Sequence, residues 1–577
     1  MAKVKASDAC LFETPYEEIL HTNAVPSDQE CLRIRDLVVA TMKERDKNAV
    51  KIAHLKAELD KLAQKEENLT EFIDAHLALV SPARRLPHDI LAEIFTWCFP
   101  SNGQARIDPE DAPLLITHIC REWRNLALSL PRLWASLHIE LSGYHLQARI
   151  DEGVEYWLAR SADLPLSISL KIPTHSLRTS VPLLDALMKY SHRWEHVRFV
   201  LPSFESYRHL RHLSPPNVPM LKTVVMDPAG AGAEGASTSL SFIRAQNITG
   251  IALMAPLVHP LDTLIPWHQL SHLSFPTYSI PLGEALTVLS HCQNLEVWTG
   301  QVSDDNAEVS PDLESIHMPK MLKVFLIDAT TLGSTRLFEH LVLQNLECLE
   351  CMNEEGTDWD PRRVLSSLCA PDKITSLGLG THLSKEGLAE SLRLFPMLQK
   401  LVLYQPKASL RHKGAANCEL FALLTPSSPD PTAILCPELR EIRCLGPNPG
   451  SDEQLLDLLR VRGASTDGVL PLSRVDIVFS REPQADIMKE VDVFGVGAGL
   501  TATLRYPTDE QLKFIETRRL RAVASKTARY ERWPVTYEVT PVKRDDWGPI
   551  SSAWVTDYED WGRLDEVSDE ETEPDSE

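Results

Sequence analysis

Few residues in this chain are spaced for chemistry. Cys348-Leu349-Glu350-Cys351 is its one C-x-x-C pair. A structural zinc site needs four ligands, usually two such pairs, and a redox pair opens a helix beside a strand. Here the pair sits in a strand-like run with Cys351 at an apolar position, so a core cysteine is the expectation. Gly495-Val496-Gly497-Ala498-Gly499 imitates a phosphate-cradling loop, but Leu-Thr-Ala-Thr-Leu-Arg-Tyr follows where a helix should open. That context fails the dinucleotide test and fits a tight turn. The G-x-x-x-x-G-K-[ST], H-E-x-x-H and G-x-S-x-G patterns do not occur, and the 20 histidines are scattered without a ligand partner. No catalytic residue, metal or cofactor is expected, and the chain reads as a non-enzyme. Ser568-Asp-Glu-Glu resembles an acidophilic kinase site, where phosphate would add negative charge.

Binding is therefore the work to look for, and composition narrows it. Of 577 residues, 43% are apolar and 24% charged, enough to bury a core. The net charge is −23, with eleven acidic residues and one basic in Asp557–Glu577. A body this acidic argues against nucleic acid or an anionic membrane as partner, since both are bound through Lys and Arg. The first residues lack a secretory h-region, no apolar run approaches ~18 residues, and eleven scattered cysteines read as reduced thiols. A cytoplasmic or nuclear location follows as an expectation.

The positioning elements fall into a sequence of six segments. Residues 1–33 read as a poorly ordered N-terminus. Residues 34–80 lack Pro and Gly, and Ile52, Leu55, Leu59, Leu62, Leu69 and Ile73 recur at alternating three- and four-residue steps. Glu66 breaks one seam position, and Arg45 and Asn48 interrupt the seam upstream. This is a long helix, either a coiled coil joining two copies through residues 34–80 or one amphipathic helix lying on its own chain. Residues 82–134 are a small all-α bundle with a strand-like end at Leu133–Leu141. Residues 135–507 alternate short strand and short helix. Residues 508–556 hold a basic helix and several tryptophans, and 557–577 a disordered acidic tail.

The alternation has a register. The pattern apolar-x-x-apolar-x-apolar begins at Trp194, Leu221, Ile248, Leu270, Leu295, Met321, Leu346, Ile374, Leu398, Leu439 and Leu472. Pro182–Met188, Gly283–Leu289, Arg363–Leu368, Leu388–Leu394 and Glu453–Leu459 supply amphipathic helical returns. A strand returned by a helix every ~20–29 residues describes an irregular leucine-rich-repeat α/β solenoid, a horseshoe. The Asn expected after each strand is missing throughout. Outward strand positions such as Ser271, His272, Gln399, Lys400, Arg440 and Glu441 would line its concave face.

The bundle carries the most specific motif. Leu86-Pro87-His88-Asp89-Ile90-Leu91-Ala92-Glu93-Ile94-Phe95 is followed by Cys120-Arg121-Glu122-Trp123-Arg124 with Leu126-Ala127, then by Leu130-Pro131-Arg132-Leu133-Trp134. Pro87 suits a first helical turn. Ile90, Leu91, Ile94, Phe95 and Cys98 form one apolar stripe, and Leu115, Ile119, Cys120, Trp123 and Leu126 a second. These residues resemble the F-box family: LPxDILxEIF, CRxWRxLA and LPxLW, in the form abundant in mushroom-forming fungi, where the box precedes irregular leucine-rich repeats. The resemblance implies docking on the Skp adaptor of an SCF (Skp–cullin–F-box) ubiquitin ligase. It implies Leu86, Pro87, Ile90, Leu91, Ile94 and Phe95 as adaptor contacts and Cys120, Trp123 and Trp134 as bundle core. The repeats would then hold an unknown protein substrate on the concave face. The alternative is a non-degradative interaction scaffold built from the repeats and the N-terminal helix.

Overall fold

The computed structural model describes residues 14–20, 22–99, 105–141, 150–172, 180–201, 204–228, 240–253, 264–303, 315–326, 331–352, 361–380, 385–404, 419–425, 434–445, 449–463, 469–479, 481–484, 487 and 500–506. The glycine-rich 495–499 turn, the basic helix, the C-terminal tryptophans, Ser568 and the acidic tail lie outside them. Two compact units divide at Leu91/Ala92.

The unit before the division is dominated by α1 (Asp28–Leu79), 52 residues long and about 78 Å at 1.5 Å per residue. It starts ahead of the expected position 34, so residues 28–33 are helical rather than disordered. The cause is a capping box: Ser27 and Glu30 satisfy each other's backbone N–H groups. Not one residue of α1 is buried. A short 3₁₀ turn (Pro82–Arg85) ends at Leu86, and α2 (His88–Trp97) crosses the division.

Beyond it come α3 (Leu114–Ile119), α4 (Arg121–Leu128) and a 3₁₀ turn (Pro131–Trp134), then β1 (Ser136–Glu140), α5 (Ile150–Arg160), β2 (Leu166–Lys171), α6 (Ser180–Met188), β3 (Trp194–Leu201), β4 (Thr223–Pro228), β5 (Gly250–Leu253) and β6 (His272–Pro281). The chain continues through α7 (Leu282–His291), β7 (Val297–Ser303), β8 (Ile316–His317), β9 (Lys323–Leu326), α8 (Thr331–His340), β10 (Leu341–Val342), β11 (Cys348–Met352) and α9 (Pro361–Ser366). The last elements are β12 (Ser376–Gly380), α10 (Lys385–Arg393), β13 (Lys400–Tyr404), α11 (Leu420–Leu424), β14 (Glu441–Leu445), α12 (Asp452–Arg462), β15 (Arg474–Val478) and β16 (Thr501–Arg505). Among the described residues fourteen strands form one sheet in chain order, with β8 and β10 paired apart from it. Every pairing is parallel.

Burial explains the register. From Leu221 onward each of the ten runs is followed by a strand that opens two residues after its first apolar residue, and that first residue is buried in every case. The fourth and sixth positions are buried as well, as in Leu273 and Phe275, Leu377 and Leu379, or Ile442 and Cys444. Parallel strands put such residues on one face, where the returning helices cover them with Leu286, Leu388 and Leu455. The return is not always α-helical. Between β3 and β6 it consists of 3₁₀ turns such as Phe204–His212 and Ser241–Arg244. The expected strand at Leu133–Leu141 is shorter, because Pro131 opens a 3₁₀ turn through Trp134 before β1 begins.

Side-chain amides stitch one strand unit to the next. Asn247 donates to the Pro219 carbonyl at 2.7 Å, Asn294 to His268 at 2.7 Å and Asn345 to Pro319 at 2.8 Å. Gln269 does the same toward Gln246 at 2.7 Å. Each amide stands one position before the first apolar residue, so a search after the strand could not find it. Cys348 and Cys351 both lie buried in β11, and burial pushes the Cys348 thiol up to about 12, the Cys351 thiol higher still. Protonated, enclosed thiols make poor ligands and poor nucleophiles.

At the start of the sheet, Glu140 lies near His138 and meets Lys171, its register neighbour on β2, at 2.9 Å. These two partners hold its carboxyl down to about 2, from an ordinary 4.5. A depressed pKa contributes stability that is present above the unfolded value and lost as pH falls from about 4.5 through about 2. Denaturation series across that window are expected to show a shallower acid limb for Glu140→Gln than for the native chain. Identical limbs would remove the carboxylate from the account.

Candidate functional site

Helix α2 is short and two-sided. Its residues at i and i+4 alternate in fate: Leu91 and Phe95 are 2% and 0% exposed, whereas Ile90 and Ile94 are 46% and 39% exposed. One turn on, Trp97 is 81% exposed, its indole N–H donating to Glu93 at 3.2 Å. The inward face is held by aromatic packing, with the rings of Phe95 and Trp123 5.1 Å apart. Trp134 is buried, donates to the Ala127 carbonyl at 2.9 Å, and meets Trp157 edge-on at 4.8 Å. These bonds tie α4 and the 3₁₀ turn to α5, so Trp123 and Trp134 are structural. The outward face of α2 takes no part in that packing.

The second apolar stripe does not survive as one helix. At Cys120 the backbone is extended (φ −156°, ψ 170°), which ends α3 and starts α4. The Cys120 sulfur caps α4 by accepting the Trp123 N–H at 3.4 Å, and the residue is exposed rather than part of the core. The break resets the helical phase and leaves Leu115 and Ile119 on the surface of α3. Arg124 bridges the break by donating to the Thr117 carbonyl at 2.7 Å.

Of the six residues expected to touch an adaptor, Ile90, Ile94 and Pro87 are exposed, Leu86 is half-buried, and Leu91 and Phe95 are interior. The two interior residues have no surface to offer and serve the bundle instead. Trp97, Leu115 and Ile119 are exposed apolar residues that sequence reasoning left off the contact set. The signal for Trp97 was present: it continues the Ile90–Ile94 spacing by one helical turn.

The solvent side of the sheet is a second candidate surface. Ser271, His272, Lys400 and Glu441 are half-buried there, Gln399 and Arg440 exposed. Lys400, Glu441 and Arg474 are register neighbours, and Arg443 faces Asp476 at 3.6 Å, so charges of opposite sign alternate across the last strands. Burial lowers the pKa of His196 and of His272, and the His196 ring sits 2.7 Å from the Thr223 hydroxyl. Among the described residues no group of three or more His, Cys, Asp or Glu is placed to hold a metal ion. No described helix is long and apolar enough to cross a membrane. The chain matches no model of a known protein family, and no curated protein matches it.

Proposed function

We propose that this chain is the substrate-recognition subunit of an SCF-type ubiquitin ligase. One observation carries the reading: α2 leaves Ile90, Ile94 and Trp97 in water while the opposite side of the same ten-residue helix supplies the core. Three large apolar residues at helical spacing, unused by the fold, suit a foreign helix. The F-box-like motif assigns the partner as the Skp adaptor. The parallel sheet in chain order, with returns on one face, supports a leucine-rich-repeat-like solenoid, whose open strand face would hold a protein substrate. Catalysis is then proximity alone: the chain raises the local concentration of a substrate lysine near a ubiquitin-loaded enzyme and contributes no acid, base or nucleophile.

The full chain is expected to co-purify with the adaptor and a cullin, and to lose both when residues 82–134 are deleted. Proteins captured by the strand face should be longer-lived in cells carrying the deletion. Failure to retain the adaptor overturns the reading. Retention with unchanged half-lives favours the non-degradative scaffold.

A further inference from the structure

Isolated helices are marginal in water unless a partner covers their apolar side, and α1 has 52 residues with none buried. Ile52, Leu55, Leu59, Leu62, Leu69 and Ile73 are each more than half exposed. Their spacing defines heptads with Ile52, Leu59, Glu66 and Ile73 at one core position and Leu55, Leu62 and Leu69 at the other. Upstream the same phase places Cys31, Val38 and Arg45 in the first set and Ile34, Thr41 and Asn48 in the second. The polar interruptions decide what can cover this seam.

In a parallel, in-register pair, Arg45 would face Arg45 and Glu66 would face Glu66 inside the seam. Lys51 would also meet Lys56 of the other copy at the flanking positions. Three like-charge encounters oppose that arrangement. An antiparallel pair overlapping along the whole helix reverses every sign. Ile34 then layers on Ile73, Val38 on Leu69 and Ile52 on Leu55, while Arg45 of one copy lies one layer from Glu66 of the other. The flanking pairs become Glu44 with Lys65, Lys51 with Glu58 and Leu37 with Phe72, all complementary. Slipping this register by one heptad either way destroys the match. One slip sets Glu44 against Glu58 and Lys51 against Lys51; the other sets Lys51 against Lys65 and Glu58 against Glu58. Asn48 opposite Leu59 and Arg45 opposite Leu62 are the polar mismatches that remain.

We infer that α1 pairs with α1 of a second copy as an antiparallel, full-overlap coiled coil whose register is set by Arg45, Glu66 and the Glu44–Lys65 and Lys51–Glu58 pairs. Antiparallel pairing sends the two remaining units out from opposite ends of the rod. The inference does not depend on the ligase reading, since it rests on α1 alone.

Light scattering on the full chain at micromolar concentration is expected to give twice the chain mass. Arg45→Glu, which sets a glutamate against Glu66 of the other copy, and Glu66→Arg, which sets an arginine against Arg45, should each weaken association roughly tenfold or more. Combining the two should restore it. A parallel pair would show no rescue, because each substitution there only exchanges one like-charge encounter for another. Native Cys31 reports direction independently: it is half-buried in a reduced helix start and lies opposite His76 in the antiparallel register. On mild oxidation His76→Cys should cross-link as Cys31 to position 76 of the other copy, with helicity by circular dichroism unchanged. A monomeric native chain, a Cys31–Cys31 cross-link in it, or a double variant no tighter than the single ones would each overturn the inference.

Discussion

Ile94→Asp is expected to reduce retention of the Skp adaptor by about a hundredfold while leaving the thermal stability of the chain within about 0.5 kcal/mol of native. The asymmetry follows from the two sides of α2. Ile94 is 39% exposed where Phe95 is wholly buried, so a charge there can reach water in the free chain. In a complex the same carboxylate would be stripped of water inside an apolar contact with no partner, at a cost of several kcal/mol. A hundredfold loss corresponds to about 2.7 kcal/mol, within the range of a central interface residue. Phe95→Ala should behave in the opposite way. It removes a fully buried ring and is expected to cost about 3–5 kcal/mol of stability, with adaptor binding falling only as the folded fraction falls. Titration calorimetry with the adaptor, alongside urea unfolding, separates the two. Native affinity in Ile94→Asp would end the assignment of this face.

The largest effect on the fold is expected at Arg462. Its side chain is wholly buried on the last turn of α12, where its guanidinium donates to the carbonyls of Leu424 at 2.8 Å, Cys436 at 2.9 Å and Leu435 at 2.5 Å. One cation thereby fixes both flanks of the connection between α11 and β14. A buried positive charge is costly, and burial lowers its pKa. Three charge-assisted bonds to the backbone carbonyls offset that cost. Arg462→Ala empties the site and leaves those carbonyls in low dielectric, an expected loss of about 3–5 kcal/mol. Arg462→Lys keeps the charge but cannot span three acceptors, and should fall between. Because strand units contact mainly their neighbours, opening should begin locally. Limited proteolysis is expected to cut between Leu424 and Cys436 well before tryptophan fluorescence reports global unfolding. Native resistance at that stretch in Arg462→Ala would refute the anchoring role.

Much of the fold was legible in the sequence because the apolar period carried it. The first apolar residue of each run, from Leu221 to Leu472, placed a strand to within two residues. Where polar chemistry decided the outcome, periodicity was blind. Ser27 and Glu30 start α1 early through hydrogen bonds, Cys120 cuts an apolar stripe into two helices, and Asn294 joins units through an amide that a hydrophobic pattern never registers. On α2 the stripe Ile90, Leu91, Ile94, Phe95 was visible, but its division into inner and outer halves was not. Two adjacent apolar residues on a helix point about 100° apart, and only the position of Trp123 shows which one turns inward.

The chain-order sheet has a consequence for how the protein is made. Among the described residues each strand finds its neighbour a few tens of residues back, such as Leu377 beside Leu349, so none of these pairings waits for a distant segment. At roughly 5–20 residues per second of synthesis, a new strand reaches the tunnel exit every few seconds and meets a finished edge on which to dock. The molecule is suited to growing as a crystal grows on its seed, with the early layers already set while the later ones are still being translated.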